Sequence, residues 1–391
     1  MTLTNTASRA PVARDCTGAT LEALERVGHS LYEESATGRI VAQARYRLTT
    51  SQALSEAVAR GDRAATRRVL SSLLLNQIVS VQVQRAGRTL ARIERGKGIA
   101  PSVGRLQLGG QTVGTFTVSV QGVNGYAQTV AGLTGSDVVV RGAGHVLAST
   151  LQSTPRLRAN QTEATLDGVP YRVDTFRAIA FPTLPLNVSL LVARSTLTEA
   201  CAHTAHLSAA QSRANAWGRV AERVYGAEHM GGKAQRILAI VERSRAFRTA
   251  VLAGDPKATR AAIIGFFRAH LHVVRVRVMR SGKLLVDVGG PRVLAPIRAV
   301  IRDAHGRVAA HFELAIQDDL GFTILARAFT GAQTLLRTSA GQVIGTLSPG
   351  PAQIPDRGVV SYRGVTYQVY SFEGEAFPSG KLRISLLYPE S

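Results

Sequence analysis

The sequence holds little cysteine, lysine or tryptophan, and no long apolar run, and each shortage excludes something. Cys16 and Cys201 are its only cysteines, too few for a disulfide framework in a chain of 391 residues, so the redox compartment stays undecided. No stretch of about eighteen apolar residues exists to span a bilayer as a helix. The opening "MTLTNTASRAPVARDCTG" lacks the apolar core of a secretory signal, so the chain as it stands reads as soluble and cytoplasmic. It has no G-x-S-x-G elbow, no phosphate-binding loop and no Gly-rich dinucleotide fingerprint, which leaves nothing that argues for an enzyme. Metal ligation is equally poor. Cys201, His203 and His206 sit close in sequence, but the 100° helical step leaves the cysteine off the face the histidines share, and His270 and His272 split across a helix end. No metal and no cofactor is expected.

Basic residues are plentiful but uneven. The formal net charge is +21, and only five of the 47 basic residues are lysines, which leaves 42 arginines. Such a protein attracts polyanions and anionic membranes through its summed field, so docking on nucleic acid or an anionic surface is one reading of the chain. Yet the arginines are dispersed. In "VVRVRVMR", Val273–Arg280, they alternate with apolar residues, the pattern of a strand with one exposed face.

The organising feature is a repeat. "GVPYRVDTFRAIAFPTLPLNVSLL", from Gly168, and "GVTYQVYSFEGEAFPSGKLRISLL", from Gly364, share twelve of twenty-four residues. Upstream, Gly135 pairs with Gly331 and Arg141 with Arg337 at the same offset of 196, while Gly61-Asp62 pairs with Gly254-Asp255 at 193. Short loop insertions account for the slips. A period this long excludes a solenoid, whose units run about 20–50 residues, and indicates two whole domains in tandem.

Each copy opens with helical spacing: Leu21, Leu24, Gly28 and Leu31 in the first, then Trp217, Val220 and Val224 in the second. Asp62 and Asp255 stand where helix N-caps belong, and Pro256 suits a first helical position. The period then changes to two, with strands around Val79–Val83, Phe116–Val120, Val138–Val140, Tyr171–Phe176 and Val188–Leu191, and counterparts in the second copy. Helices followed by antiparallel strands make an α+β fold. The expected organisation is a disordered tail over 1–15, a first domain over 16–194, linking helices over 195–253 and the second sheet portion over 254–391. Gly226, Gly231 and Gly232 are expected to break or kink the linking helices.

That order of elements resembles a PAS-like sensor domain and, more narrowly, the Cache or PDC-type family. The residues that carry the resemblance are "IRDAHGRVAAHFELAIQDDLGF" from Ile301, "LLRTSAGQVIGTL" from Leu335 and "YRGVTYQVYSFEGEAFPSGKLRISLL" from Tyr362. The resemblance implies two Cache units in tandem, each a long helix packed on an antiparallel sheet of about five or six strands. It also implies a non-catalytic sensor that binds a small organic acid or amine and signals through its long helices. Family members usually lie outside the membrane, so the resemblance allows an extracytoplasmic place that the absent signal does not suggest. A homodimer through the long helices would cover their apolar stripe.

Five residues are candidate ligand contacts. Arg141 and Arg337 end apolar strands just before a turn, where a guanidinium suits a carboxylate. Asp318 fits an amine, and only in the second copy, because Gly122 stands in its place in the first. Tyr171 and Tyr367 lie on the strand face that also carries Val173 and Thr175, or Val369 and Ser371. Strand alternation leaves open which face packs on the helix and which lines a pocket, and a core tyrosine is the commoner fate.

Overall fold

The computed structural model describes residues 16–74, 78–153, 157–158, 161–201, 207–269, 273–290, 294–341, 343–347, 349–378 and 380–390. The expected tail over 1–15 lies outside them, as do His203, His206, His270 and His272. The described residues divide into two compact units, 20–201 and, with 16–19, 207–390. They are called the first and second unit below.

In the first unit the helices Cys16–Thr37, Arg39–Thr50, Gln52–Arg60 and Arg63–Leu73 come first. Asp62 caps the last of them by accepting from the Ala65 N–H at 2.9 Å, and Gly61 ends its predecessor in the left-handed region at φ 71°. A four-stranded antiparallel sheet follows in the spatial order Arg88–Glu94, Ser80–Arg85, Gln111–Ser119, Ser102–Leu108. Its inner face puts Val81, Val83, Phe116 and Val118 against Leu48, Leu54, Val58 and Leu70 of the helices. Burying each such side chain stabilises the unit by about 1.5–3 kcal/mol.

The remaining strands form another sheet. The helix Val123–Thr134 leads into it, and its central order is Val169–Ala180, Leu184–Ala193, Asp137–Gly142, His145–Ser149, with Glu163–Leu166 also paired to Val169–Ala180. Its core gathers Tyr126, Val130, Val138, Val140, Phe176, Val188 and Leu190.

The second unit repeats both layers. The helices Ala209–Met230, Gly232–Arg243, Arg245–Ala253 and Pro256–Ala269 precede a four-stranded sheet ordered Lys283–Gly289, Arg275–Arg280, Val308–Ala315, Ile297–Arg302. Asp255 caps the fourth helix through the Lys257 and Ala258 N–H groups. After the helix Asp319–Thr330 comes a five-stranded sheet ordered Val343–Gly345, Gln333–Thr338, Lys381–Pro389, Val365–Glu375, Arg357–Tyr362. The α+β reading with long N-terminal helices and antiparallel strands holds. Where the sequence suggests one sheet per copy, each copy carries two, because the strands around Phe116 and Phe312 pair among themselves and not with the closing strands.

Glycines set where the long helices stop. Gly38 and Gly231 are both extended, with φ −68° and −69° and ψ 178° and 167°. A Cβ there would lie 2.5 Å from the Glu34 carbonyl oxygen and 2.3 Å from that of Ala227. Gly226 does not break its helix as expected: it lies inside Ala209–Met230 with open space where a Cβ would stand. Both cysteines, Cys16 and Cys201, are disulfide-bonded. That removes Cys201 from any metal reading, and among the described residues no group of three His, Cys, Asp or Glu side chains could hold an ion.

Candidate functional site

The closing sheet of each unit has two unlike faces, and the structure decides between them. In the first unit Asp174, Phe176 and Ala178 face the long helix, where Gly28 leaves room for the Phe176 ring: a Cβ at Gly28 would be 3.2 Å from it. In the second unit the fit is closer, since a Cβ at Gly218 would fall 2.0 Å from Tyr370 Cγ. One tyrosine ties each helix to its sheet. Tyr32 Oη accepts from the Ile179 N–H at 3.1 Å, and Tyr225 Oη accepts from the Glu375 N–H at 2.6 Å, the equivalent position.

The helix-facing side of the first unit also holds an acidic pair. Burial pushes the Glu25 carboxyl up to about 7, and the neighbouring Asp174 and Glu22 add to the shift, against Arg26. Asp174 is itself raised by burial, although its carboxylate accepts from the Thr175 N–H at 2.8 Å. The second unit has Gly218 and Tyr370 there. Burial and a 2.8 Å hydrogen bond donated to Glu222 raise the Tyr370 hydroxyl to about 12.

The other face carries Tyr171, Val173, Thr175 and Arg177. Cross-strand register aligns it with two more strands: Arg177 stands opposite Asn187, which stands opposite Arg141. One rung therefore presents Arg–Asn–Arg across three adjacent strands, side chains on the same face and about 5 Å apart. On the next rung Thr175 pairs with Ser189, their hydroxyls 2.9 Å apart. These residues and Arg158 line a groove of about 670 Å³ that has no carboxylate among its described lining residues. Arg141 is held in place by donating to the Leu157 and Gly144 carbonyls. The groove can pair with an anion through guanidinium groups and offer hydroxyls and an amide beside it.

Of the five expected contacts, only Arg141 lines this groove. Tyr171 donates to Asp137 at 3.4 Å, and burial first, then Asp137, raises its hydroxyl. It packs against a small cluster of Val139, Leu157, Ala164, Val173 and Leu191. Tyr367 is buried with Leu335, Val369 and Leu387 in the matching cluster of the second unit. Arg337 donates to the Pro351 and Ala352 carbonyls at 2.9 Å each. Asp318 accepts from the Gly321 N–H as the N-cap of Asp319–Thr330. The five are thus not brought together. Sequence reasoning missed Arg177 and Asn187, although a signal was present: in the closely matched repeat they are replaced by Glu373 and Arg383.

No family model matches the chain, and no curated protein does. Among solved structures it is similar to the ligand-binding domain of the Pseudomonas fluorescens chemoreceptor CtaA in complex with L-alanine. That match is 13% identical and spans 46% of this chain and 99% of that one, with a TM-score of 0.28. It is also similar to the Vibrio cholerae LuxQ periplasmic domain, 13% identical over 46% of this chain and 96% of that one, with a TM-score of 0.27. The site is argued from its own geometry.

Proposed function

We propose that this protein is a non-catalytic sensor that captures a small organic anion in the groove of its first unit. The Arg177–Asn187–Arg141 rung carries the reading, with its hydroxyl pair beside it and no acid among the described lining residues. Several hundred cubic ångströms is the size of a small-metabolite site. Of the carboxylate and the amine that the family resemblance allows, this lining favours the carboxylate.

A route from groove to helix supports the signalling half of the proposal. Ile179 lines the groove, and its N–H is the one that Tyr32 of the long helix accepts. A ligand that shifts this strand alters the helix through a direct hydrogen bond. The disulfide-bonded cysteines favour an oxidising, extracytoplasmic compartment. Among the described residues no helix is long and apolar enough to cross a membrane.

The test is a thermal-shift screen of the full chain against organic acids and amines. Ligand present at a hundred times its Kd stabilises the native state by about 2.7 kcal/mol. An acid should raise the melting temperature, and Arg177→Ala should abolish the rise. A library in which no acid stabilises the chain, or a rise that survives Arg177→Ala, defeats the proposal.

A further inference from the structure

Each unit covers its four-stranded sheet with a layer of short helices, and the outer side of that layer is basic. In the first unit Arg39–Thr50, Gln52–Arg60 and Arg63–Leu73 turn Leu48, Leu54, Val58 and Leu70 inward onto the strands. Their other side exposes Arg39, Arg47, Arg60, Arg63, Arg67 and Arg68, and among the described residues none of these guanidinium groups has an ion pair or a side-chain hydrogen bond. The two acids of the layer are already engaged. Asp62 caps a helix, and Glu56 accepts from the Gln52 amide at 2.9 Å.

The second unit repeats this balance with different residues. Its helices from Gly232 to Ala269 hold eight basic residues against Glu242 and Asp255, and Asp255 is a cap. Buried positions of the two layers match at an offset of 193: Leu48 with Val241, Leu54 with Phe247, Leu70 with Ile263. At that offset Arg67 is the one arginine of the first layer that meets a basic residue, Arg260, while Arg47, Arg60 and Arg68 meet Ile240, Ala253 and Ala261. The charge of the face recurs, and the positions that carry it do not. An arginine kept for one ion pair is tied to one partner, whereas attraction to an extended anionic surface needs only the summed charge.

The residues among the arginines point to lipid. Tyr46, 69% exposed, stands between Arg45 and Arg47, and Ile40 is 42% exposed on the same helix. In the second unit Ile240, 43% exposed, lines a shallow groove of about 580 Å³ with Arg243 and Ala246. Cations that meet phosphates beside apolar bodies that enter the acyl boundary suit the surface of a bilayer. Both cysteines are disulfide-bonded, which fits an oxidising compartment, where the abundant polyanion is a lipid headgroup and not a nucleic acid. We propose that these helical layers are docking faces for an anionic membrane surface. The proposal is independent of the groove that carries the sensor reading.

The test is co-sedimentation of the full-length protein with phosphatidylcholine vesicles, with and without about a third of phosphatidylglycerol. Two variants lose the same charge from exposed positions. One strips the helices: Arg63→Gln, Arg67→Gln, Arg68→Gln, Arg243→Gln, Arg245→Gln and Arg260→Gln. The other strips positions outside them: Arg88→Gln, Lys97→Gln, Arg105→Gln, Lys283→Gln, Arg363→Gln and Lys381→Gln. Glutamine is close to arginine in helix propensity, so both variants should melt near the parent. Each cation at an anionic surface changes partition about fivefold, so three in one docked layer make about a hundredfold. The parent should bind the anionic vesicles and not the neutral ones, and the helix variant should bind at least a hundredfold more weakly while the other variant keeps most of its affinity. Equal binding to both vesicles, no binding to the anionic ones, or equal loss in the two variants would overturn the inference. So would a short DNA duplex that binds more tightly than the anionic vesicles, since it would make the partner a nucleic acid. None of the substituted residues lines the first unit's groove, so failure here leaves the sensor reading standing.

Discussion

Replacing Glu25 with Gln should stabilise the protein at neutral pH and leave it unchanged in acid. Glu25 is held between the long helix and the closing sheet, where burial and Asp174 raise its carboxyl to about 7 from an ordinary 4.5. Below pH 4.5 it is protonated whether the chain is folded or not, and it costs nothing. Between 4.5 and about 7 the unfolded chain releases a proton that the folded chain keeps, so stability falls as pH rises. Above about 7 the whole penalty is present. At 1.36 kcal/mol per unit the shift sets a ceiling of roughly 3 kcal/mol. Because the side chain is only partly buried, solvent screening reduces this to about 1–2 kcal/mol. A unit of this size melts about 2–4 °C higher per kcal/mol, so Glu25→Gln should raise the melting temperature by about 2–8 °C at pH 8. Paired calorimetric scans of wild type and variant at pH 8 and pH 4 measure it. A variant that shifts equally at both pH values, or that melts lower at pH 8, would show that the acidic pair is not strained as argued.

Other outcomes follow from single contacts. Gly231→Ala places a Cβ 2.3 Å from the Ala227 carbonyl oxygen and should destabilise the second unit by about 1–3 kcal/mol, whereas Gly232→Ala, whose nearest contact is the mobile end of Arg236, should be neutral in the same chemical denaturation experiment. Tyr225→Phe removes the acceptor of the Glu375 N–H and should cost about 1–2 kcal/mol by urea titration, with Tyr32→Phe showing the equivalent loss in the first unit. Reducing the disulfide-bonded cysteines should lower stability by about 2–4 kcal/mol, and a melting temperature indifferent to reductant would remove the support for an oxidising compartment.

Much of the architecture was legible because it depends on local chemistry that repeats. Asp62 and Asp255 are caps, as their place before a helical pattern requires, and period-two spacing located the strands around Phe116, Tyr171 and Val188. Internal duplication gave the order of elements twice. The sequence could not divide the strands between two sheets, since alternation says which residues share a face and not which strand lies alongside. It also misjudged Gly226, which a helix tolerates where nothing crowds it, whereas the helix ends at Gly231, where the extended backbone would bring any Cβ against the Ala227 carbonyl.

What the sequence determined alone is therefore the unit: helices, caps, strand faces and their duplication, all set by residues within a few positions of one another. Only the tertiary structure decided the site. Arg141, Arg177 and Asn187 are separated by up to 46 positions and meet because three strands align on one rung. In the second unit Asp356 forms an ion pair with Arg383 on the matching rung, a contact between residues 27 positions apart. Register is a collective property of the paired strands, so no single stretch of sequence encodes which side chains share a rung.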